Sequence, residues 1–383
     1  MKKSYFILIS MLVLWGSGAY SHRPGLSKDH VTLDFNMVDA GIDWLELIRS
    51  GADELRIKAY FEEHIVPTQG CQTIIHHWAR FRKWDAEELY AFIMTALDRT
   101  PSEETLEKED GSLTFFGMRR KLWHTALRDT SRLRNDLNTL KSSDLLRSVA
   151  VVRSFLPPDA VLDVKFSFVL FGHSSAFSVG RENGFDFLQL PRKTDDSLDI
   201  DQIVQILAHE LHHSGFASMD EKYLNDIKDR DRLMLLGILA AEGMPTYFID
   251  KPQEHLAAYR DSRDPLRRMV AADWEKHSAR LPELYLRAEA DLNANLEGGL
   301  SQDDLMHIWM AGAKGPAYIL GGDMIRVIDT YLGREAAVSV AADYRKLLRM
   351  YNHAARQAHA QGKKPYLFSE SLADRIAGFG APD

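Results

Sequence analysis

Cysteine is almost missing from this chain: Cys71 stands alone among 383 residues. No intrachain disulfide can form, so a small disulfide-stapled scaffold is excluded and a hydrophobic core must hold the fold. Cys71 lacks the local signature of a nucleophile and reads as a buried structural thiol. An excess of basic residues is missing too. Lys and Arg number 47 against 55 Asp and Glu, a formal net charge of −8. That balance excludes a nucleic-acid binder held by phosphate contacts and gives no pull toward anionic lipid. The arginines of Arg132-Leu133-Arg134 are flanked by Asp129 and Asp136 and read as a solvated helix face. Beyond the N-terminus no apolar run is long enough to span a bilayer. No internal repeat and no low-complexity segment is present.

What the chain does have begins with a leader pattern. Lys2 and Lys3 precede an apolar stretch from Tyr5 to Trp15, then the small residues of Gly16 to Ser21. Ala19-Tyr20-Ser21 fits a small-x-small cleavage site, so residues 1–21 read as a signal peptide with the mature chain starting at His22. The protein is expected to be exported, periplasmic or secreted, with no integral membrane segment after cleavage; an uncleaved anchor is the alternative.

Helical patterning dominates residues 22–156. Met37 to Arg49 follows Asn36 as a cap and stops at Gly51, and further helical segments cover Glu54–Ile65, Thr73–Arg82, Ala86–Leu97 and a charged stretch from Arg119 to Phe155. His76-His77 lies in one of these; adjacent histidines point to different faces, which favours packing or surface roles over a shared metal. Pro157-Pro158 marks a domain boundary. Beyond it the period changes to two: Val161 to Phe171, Ala176–Val179 and Phe185–Leu190 read as strands, with turns at Gly172 and Asn183-Gly184. Residues 157–383 therefore form a second region, with a small sheet over 161–190, helices over 199–216 and 231–249, and further helices to the C-terminus. The fold class is mainly α with a small β-sheet, α+β.

The most informative stretch is Ile206-Leu207-Ala208-His209-Glu210-Leu211-His212-His213. On a helix His209 and His213 stack on one face and can share a metal ion, while Glu210 falls beside it, where a carboxylate can take a proton from a metal-bound water. Two imidazoles and an offset carboxylate suit zinc-activated hydrolysis. A catalytic zinc wants a third ligand and an open position. Glu242 is the candidate, at the end of the apolar run Leu233 to Ala241, where an unpaired carboxylate is costly. Against it, Glu242-Gly243-Met244-Pro245 also reads as a helix end in solvent. One zinc per chain is expected. His212, three residues from His209, reads as a second-layer or surface residue. Glu210-x-x-His213 also occurs in di-iron bundles, but no second pair of the right spacing is present. The alternative function is a non-catalytic exported zinc-binding protein that keeps the metal for structure or partner binding.

With His209-Glu210-Leu211-His212-His213 followed by Glu242-Gly243-x-x-x-Tyr247-Phe248, the chain resembles the gluzincin branch of the zinc metallopeptidases. It is similar, more narrowly, to bacterial families of predicted zinc-dependent peptidases. Gly315-Pro316-Ala317-Tyr318-Ile319-Leu320-Gly321-Gly322 and Gly333-Arg334-Glu335 resemble the C-terminal helices of those families. The departure is Pro245, where such helices often carry a small helix-compatible residue. The resemblance implies a zincin-like core, zinc held by His209, His213 and Glu242, Glu210 as general base and a peptide or protein substrate. It also implies an edge strand, Ala176–Val179 or Phe185–Leu190, that pairs with extended substrate. Tyr318, in the segment resembling the family's tyrosine motif, is the first candidate for a donor to the oxyanion; Tyr247 and His307 follow. His173 reads as a turn histidine.

Overall fold

The computed structural model describes residues 29–79, 83–99, 106, 114–262 and 265–380. The leader pattern lies outside the described residues. Four strands form one mixed sheet in the order β1-β2-β4-β3: β1 Asp29–Asp34, β2 Leu162–Val169, β3 Ala176–Val179 and β4 Glu182–Asp186. β1 and β4 run parallel to β2, and β3 is antiparallel to β4. The remaining described elements are helical. Those that build the site are α1 Asn36–Arg49, α2 Gln69–Ala79, α3 Ile200–Leu224, α4 Met234–Pro245, α5 Pro265–Ser278 and α6 Pro316–Leu332.

Pleating decides what each face of the sheet meets. Lys165, Phe177 and Glu182 point to α2: the Lys165 ammonium donates to Gln69 Oε1, Gln69 Nε2 donates to Glu182, and the His77 ring lies 4.5 Å from that of Phe177. His76 Nδ1 lies 3.2 Å from Glu182 Oε2, so the two histidines have packing and surface roles on different faces. Ser178 and Asn183 point the other way, to α3. Cys71 is buried, and burial pushes its thiol up to about 12, which leaves it unreactive.

Several boundaries differ from those expected from sequence. The sheet takes its first strand from the N-terminal region: only Val31 and Leu33 alternate in β1, too brief a period to stand out, and pairing with β2 supplies the rest. The hairpin turn falls at Gly180-Arg181, since Val179 pairs with Glu182. Asn183 and Gly184, a turn signal by composition, are inside β4. Asn183 Nδ2 donates to Ser214 Oγ on α3 at 3.1 Å, and the Phe177 ring lies against Gly184. Tertiary packing overrides the turn preference. The expected Phe185–Leu190 strand ends at Asp186 and becomes a short 3-10 turn. The buried Asp186 carboxylate accepts from the backbone N–H groups of Phe171, Gly172, His173 and Leu188, tying the loop between β2 and β3 to that turn. Asn36 is the first residue of α1 rather than its cap; the cap position is Phe35, which has no side-chain cap bond, and the Asp34 carboxylate accepts from the Asn36 N–H. The charged stretch after Arg119 is three helices, Phe115–Arg128, Thr130–Ser142 and Arg147–Arg153.

α3 runs on to Leu224, well past Gly215. A 3-10 turn at Arg230–Leu233, α4, and a π-turn at Thr246–Asp250 join into one helical segment. It is 21 residues long and apolar enough to cross a membrane, which the nine-residue apolar run alone did not suggest, but its apolar stretch is 89% buried within the fold. Pro245 does not end it. Proline cannot donate to the ladder and crowds the preceding turn, and the chain widens into the π-turn immediately after it.

α4 and α6 cross backbone against backbone. A methyl placed on Gly243 would lie 2.6 Å from Gly321 Cα, and one on Gly321 would lie 2.9 Å from Gly243 Cα. Only two glycines permit that approach. It joins the Glu242-Gly243 segment to the Tyr318–Gly322 segment, two pieces far apart in sequence.

Candidate metal centre

α3 begins at Asp199, whose carboxylate accepts from the Gln202 N–H, and buries Ile203, Leu207 and Leu211. His209, Glu210, His212 and His213 follow inside the fold; His209 is 5% exposed and His213 2%. A single helical turn sets the His209 and His213 rings edge to face, 4.8 Å apart. Facing them from α4 is Glu242, 0% exposed, so the reading of a solvent-facing helix end is wrong. Its Oε2 lies 3.5 Å from His209 Nε2 and its Oε1 lies 3.6 Å from His213 Nε2.

None of these four atoms makes a hydrogen bond, although all are buried. Buried polar atoms are costly unless satisfied. Two imidazole nitrogens and a carboxylate that converge without hydrogen bonds are the donor set of a catalytic zinc. The residues present therefore fit the metal.

A second carboxylate also approaches: one oxygen of Glu210 lies within 4.8 Å of ligand atoms of both histidines. Glu210 and Glu242 are separated by their other contacts. Ser178 Oγ on β3 donates to Glu210 Oε2 at 2.8 Å, whereas Glu242 has only the two histidines. Glu242 thus makes the shorter approach to both histidines, and Glu210 stands beside the pair, held by Ser178. Asn183 and Ser214 pin the backbone under Glu210, with Asn183 Nδ2 3.5 Å from the Glu210 carbonyl.

The outer nitrogen of His209 is also held. Nδ1 lies 2.9 Å from Asp250 Oδ1, at the end of the π-turn, and the other Asp250 oxygen accepts from Lys314 Nζ at 3.0 Å. Such a carboxylate fixes ring orientation and tautomer in metal-binding histidines. Charges follow from this arrangement. Burial works against a proton on His209, but Asp250 and Glu242 outweigh it and hold the imidazolium up to about 10 in the metal-free chain. Burial, with the neighbouring His209 charge adding to it, lowers His213 and His212 to about 3. Burial opposes the charges of Glu242 and Asp250 too, but the neighbouring imidazoles and Lys314 keep both below the usual carboxylate range. Glu210 is raised to about 7 by burial, against the Ser178 hydrogen bond.

The other expected residues are placed as follows. Tyr318 is buried in α6 with the Lys314 ammonium 4.0 Å from its ring centre. Tyr247 donates its hydroxyl to Asp329 at 2.9 Å, and His307 is exposed on the Gln302–Trp309 helix. His212 is fully buried, which removes the surface reading. His173 sits in the loop before β3 against the rings of Trp78 and Phe171. Ser178, Asp250 and Lys314 were not expected. Only Asp250 had a local signal, an acid close behind an apolar helix; the other two reach the site through tertiary contacts.

A family model described as "Putative zinc dependent peptidase (DUF5700)" matches residues 63–360. No curated protein and no solved structure matches the chain.

Proposed function

This chain belongs to that zinc dependent peptidase family, and from that premise we propose that it hydrolyses peptide bonds at a zinc held by His209, His213 and Glu242, one per chain. The observation that carries the reading is the convergence of His209 Nε2, His213 Nε2 and both Glu242 oxygens, buried and without hydrogen bonds. Bound zinc supplies a Lewis acid that brings the pKa of its water to about 7 and polarises the scissile carbonyl. Glu210 takes the proton of the attacking water and passes it to the leaving nitrogen. Tyr318 is the proposed donor to the developing oxyanion. Its ring touches Lys314 and so the Asp250–His209 chain. The ratio of kcat to KM effects in Tyr318→Phe tests that role.

A zincin-like core is supported by β3. It borders α3 through Ser178 and, among the described residues, pairs only with β4, leaving an edge for an extended substrate. An inhibitor-bound structure with the peptide lying elsewhere would remove this part. The leader pattern supports export to the periplasm or beyond, with residues 157–383 as the metallopeptidase region, and N-terminal sequencing of exported protein tests the start at His22.

The ligand set is tested by Glu242→Gln. A neutral amide is a poorer ligand than a carboxylate, so zinc affinity should fall by at least about tenfold, and thermal stability in zinc buffer should fall with it. Unchanged zinc affinity in a competition titration would show that the third ligand lies elsewhere.

The Ser178 contact makes a pH prediction. A hydrogen bond donated to a carboxylate favours its charged form, so losing it raises the Glu210 pKa. A base works only when unprotonated. Ser178→Ala should therefore move the acidic limb of kcat/KM to higher pH, leaving the basic limb in place. An acidic limb that stays put or moves down would show that Glu210 is not the group titrating there.

A further inference from the structure

Lys314 is a lysine taken largely out of water, with its side chain 12% exposed. Its ammonium lies 3.0 Å from Asp250 Oδ2, and the opposite oxygen of that carboxylate lies 2.9 Å from His209 Nδ1. On its other side the ammonium meets the face of the Tyr318 ring at 4.0 Å. The backbone is fixed as well. The N–H groups of Ala313 and Lys314 both donate to Asp273 Oδ2 on α5, at 2.7 and 3.3 Å. Gly312, with φ +99°, makes the turn that brings the loop onto that carboxylate.

These contacts form a continuous chain: Asp273 on α5, the loop at 312–314, Lys314, Asp250 and His209. A carboxylate bonded through one oxygen can still swing about its Cβ–Cγ bond. With both oxygens held, Asp250 has one orientation, and the His209 ring has one as well.

We propose that Lys314 is a positioning residue of the metal centre: it clamps Asp250, which keeps the His209 ring turned with Nε2 toward Glu242. The inference rests on the reading of His209, His213 and Glu242 as zinc ligands. A lysine that merely joined a loop to a helix would stabilise the fold and leave the metal untouched. A lysine that bound substrate would act on KM. A positioning lysine acts on the metal itself.

The test is zinc affinity by competition with a chromophoric chelator, together with the visible spectrum of the cobalt-substituted protein, on variants shown folded by circular dichroism. Lys314→Met keeps the length of the stem and removes the charge. It should bind zinc about 10–100-fold more weakly, the usual effect of losing a group that orients a ligand, and its cobalt bands should shift. Asp273→Asn should weaken zinc binding less, and Lys314→Arg should recover most of it. Zinc affinity within twofold of wild type and an unchanged cobalt spectrum in Lys314→Met, alongside weakened binding in Asp250→Asn, would overturn the proposal. If Lys314→Met does not fold, unaltered zinc affinity in Asp273→Asn overturns it instead. If His209→Ala and Glu242→Gln also bind zinc normally, the metal-centre reading has failed, and the clamp falls with it.

Discussion

Glu210→Gln should fold, bind zinc with wild-type affinity and lose a factor of about 100 to 10,000 in kcat, the range for removing a positioned general base. The amide is nearly the same size as the carboxylate and can still accept the Ser178 hydroxyl, so packing and position are retained. What disappears is the ability to take a proton. Glu242 is the closer carboxylate to both histidines, so the proposed ligand set should be untouched. Zinc content by elemental analysis and turnover on a mixed peptide library, with and without chelator, measure the two halves separately. Full turnover in this variant would remove Glu210 as the base. Loss of zinc would instead make it a ligand, as its approach within 4.8 Å of the histidine nitrogens permits. The same experiment decides against a purely structural zinc: a chain that never hydrolyses peptides has no turnover for Glu210→Gln to lose.

Gly243→Ala should be the most damaging small substitution outside the ligand set. A methyl there would lie 2.6 Å from both Gly321 Cα and the Gly321 carbonyl oxygen, and a backbone cannot swing aside as a flexible side chain can. α4 and α6 would have to part. Forcing extra volume into a packed interior costs about 1–3 kcal/mol and occasionally more, and a backbone clash belongs at the upper end. Glu242 precedes Gly243, so zinc affinity should fall together with the unfolding midpoint. Gly321→Ala should act alike, and the double variant should cost less than the two single losses added, since both disturb one crossing. Thermal unfolding of the four proteins with and without zinc checks this. A Gly243→Ala midpoint within a degree of wild type would mean that the crossing has slack.

Much of this was legible in the sequence, for reasons that can be named. The His209–His213 spacing follows from helical pitch alone, and the apolar run before Glu242 favoured a buried carboxylate, although Gly243 and Pro245 also allowed a helix end in solvent. Burial of all three bears out that logic. Local signals failed where a distant partner decides the conformation. Asn183-Gly184 has the composition of a turn, yet Asn183 is consumed by Ser214 and stays in a strand. β1 carries two alternating apolar residues and exists because β2 is there to pair with it. Ser178 and Lys314 reach the site from a strand and a loop, and no spacing along the chain announces such contacts. Pro245, the departure from the family pattern, is followed by a widened turn that carries the helix on to Asp250.

That widened turn changes how the chain should be counted. In an ordinary helix each residue advances about 100°, so the eight steps from Glu242 to Asp250 would leave the two acids about 80° apart around the axis. A π-turn accommodates one additional residue within the same rotation. Asp250 then stands at the azimuth of a seventh step, about 20° from Glu242, and both acids reach the same imidazole from opposite edges. The segment is in effect two helices slipped by a single position at Pro245. A related chain with an uninterrupted helix should carry its orienting acid seven residues after the glutamate rather than eight, and a comparison that forbids a one-residue gap there would pair Asp250 with the wrong neighbour.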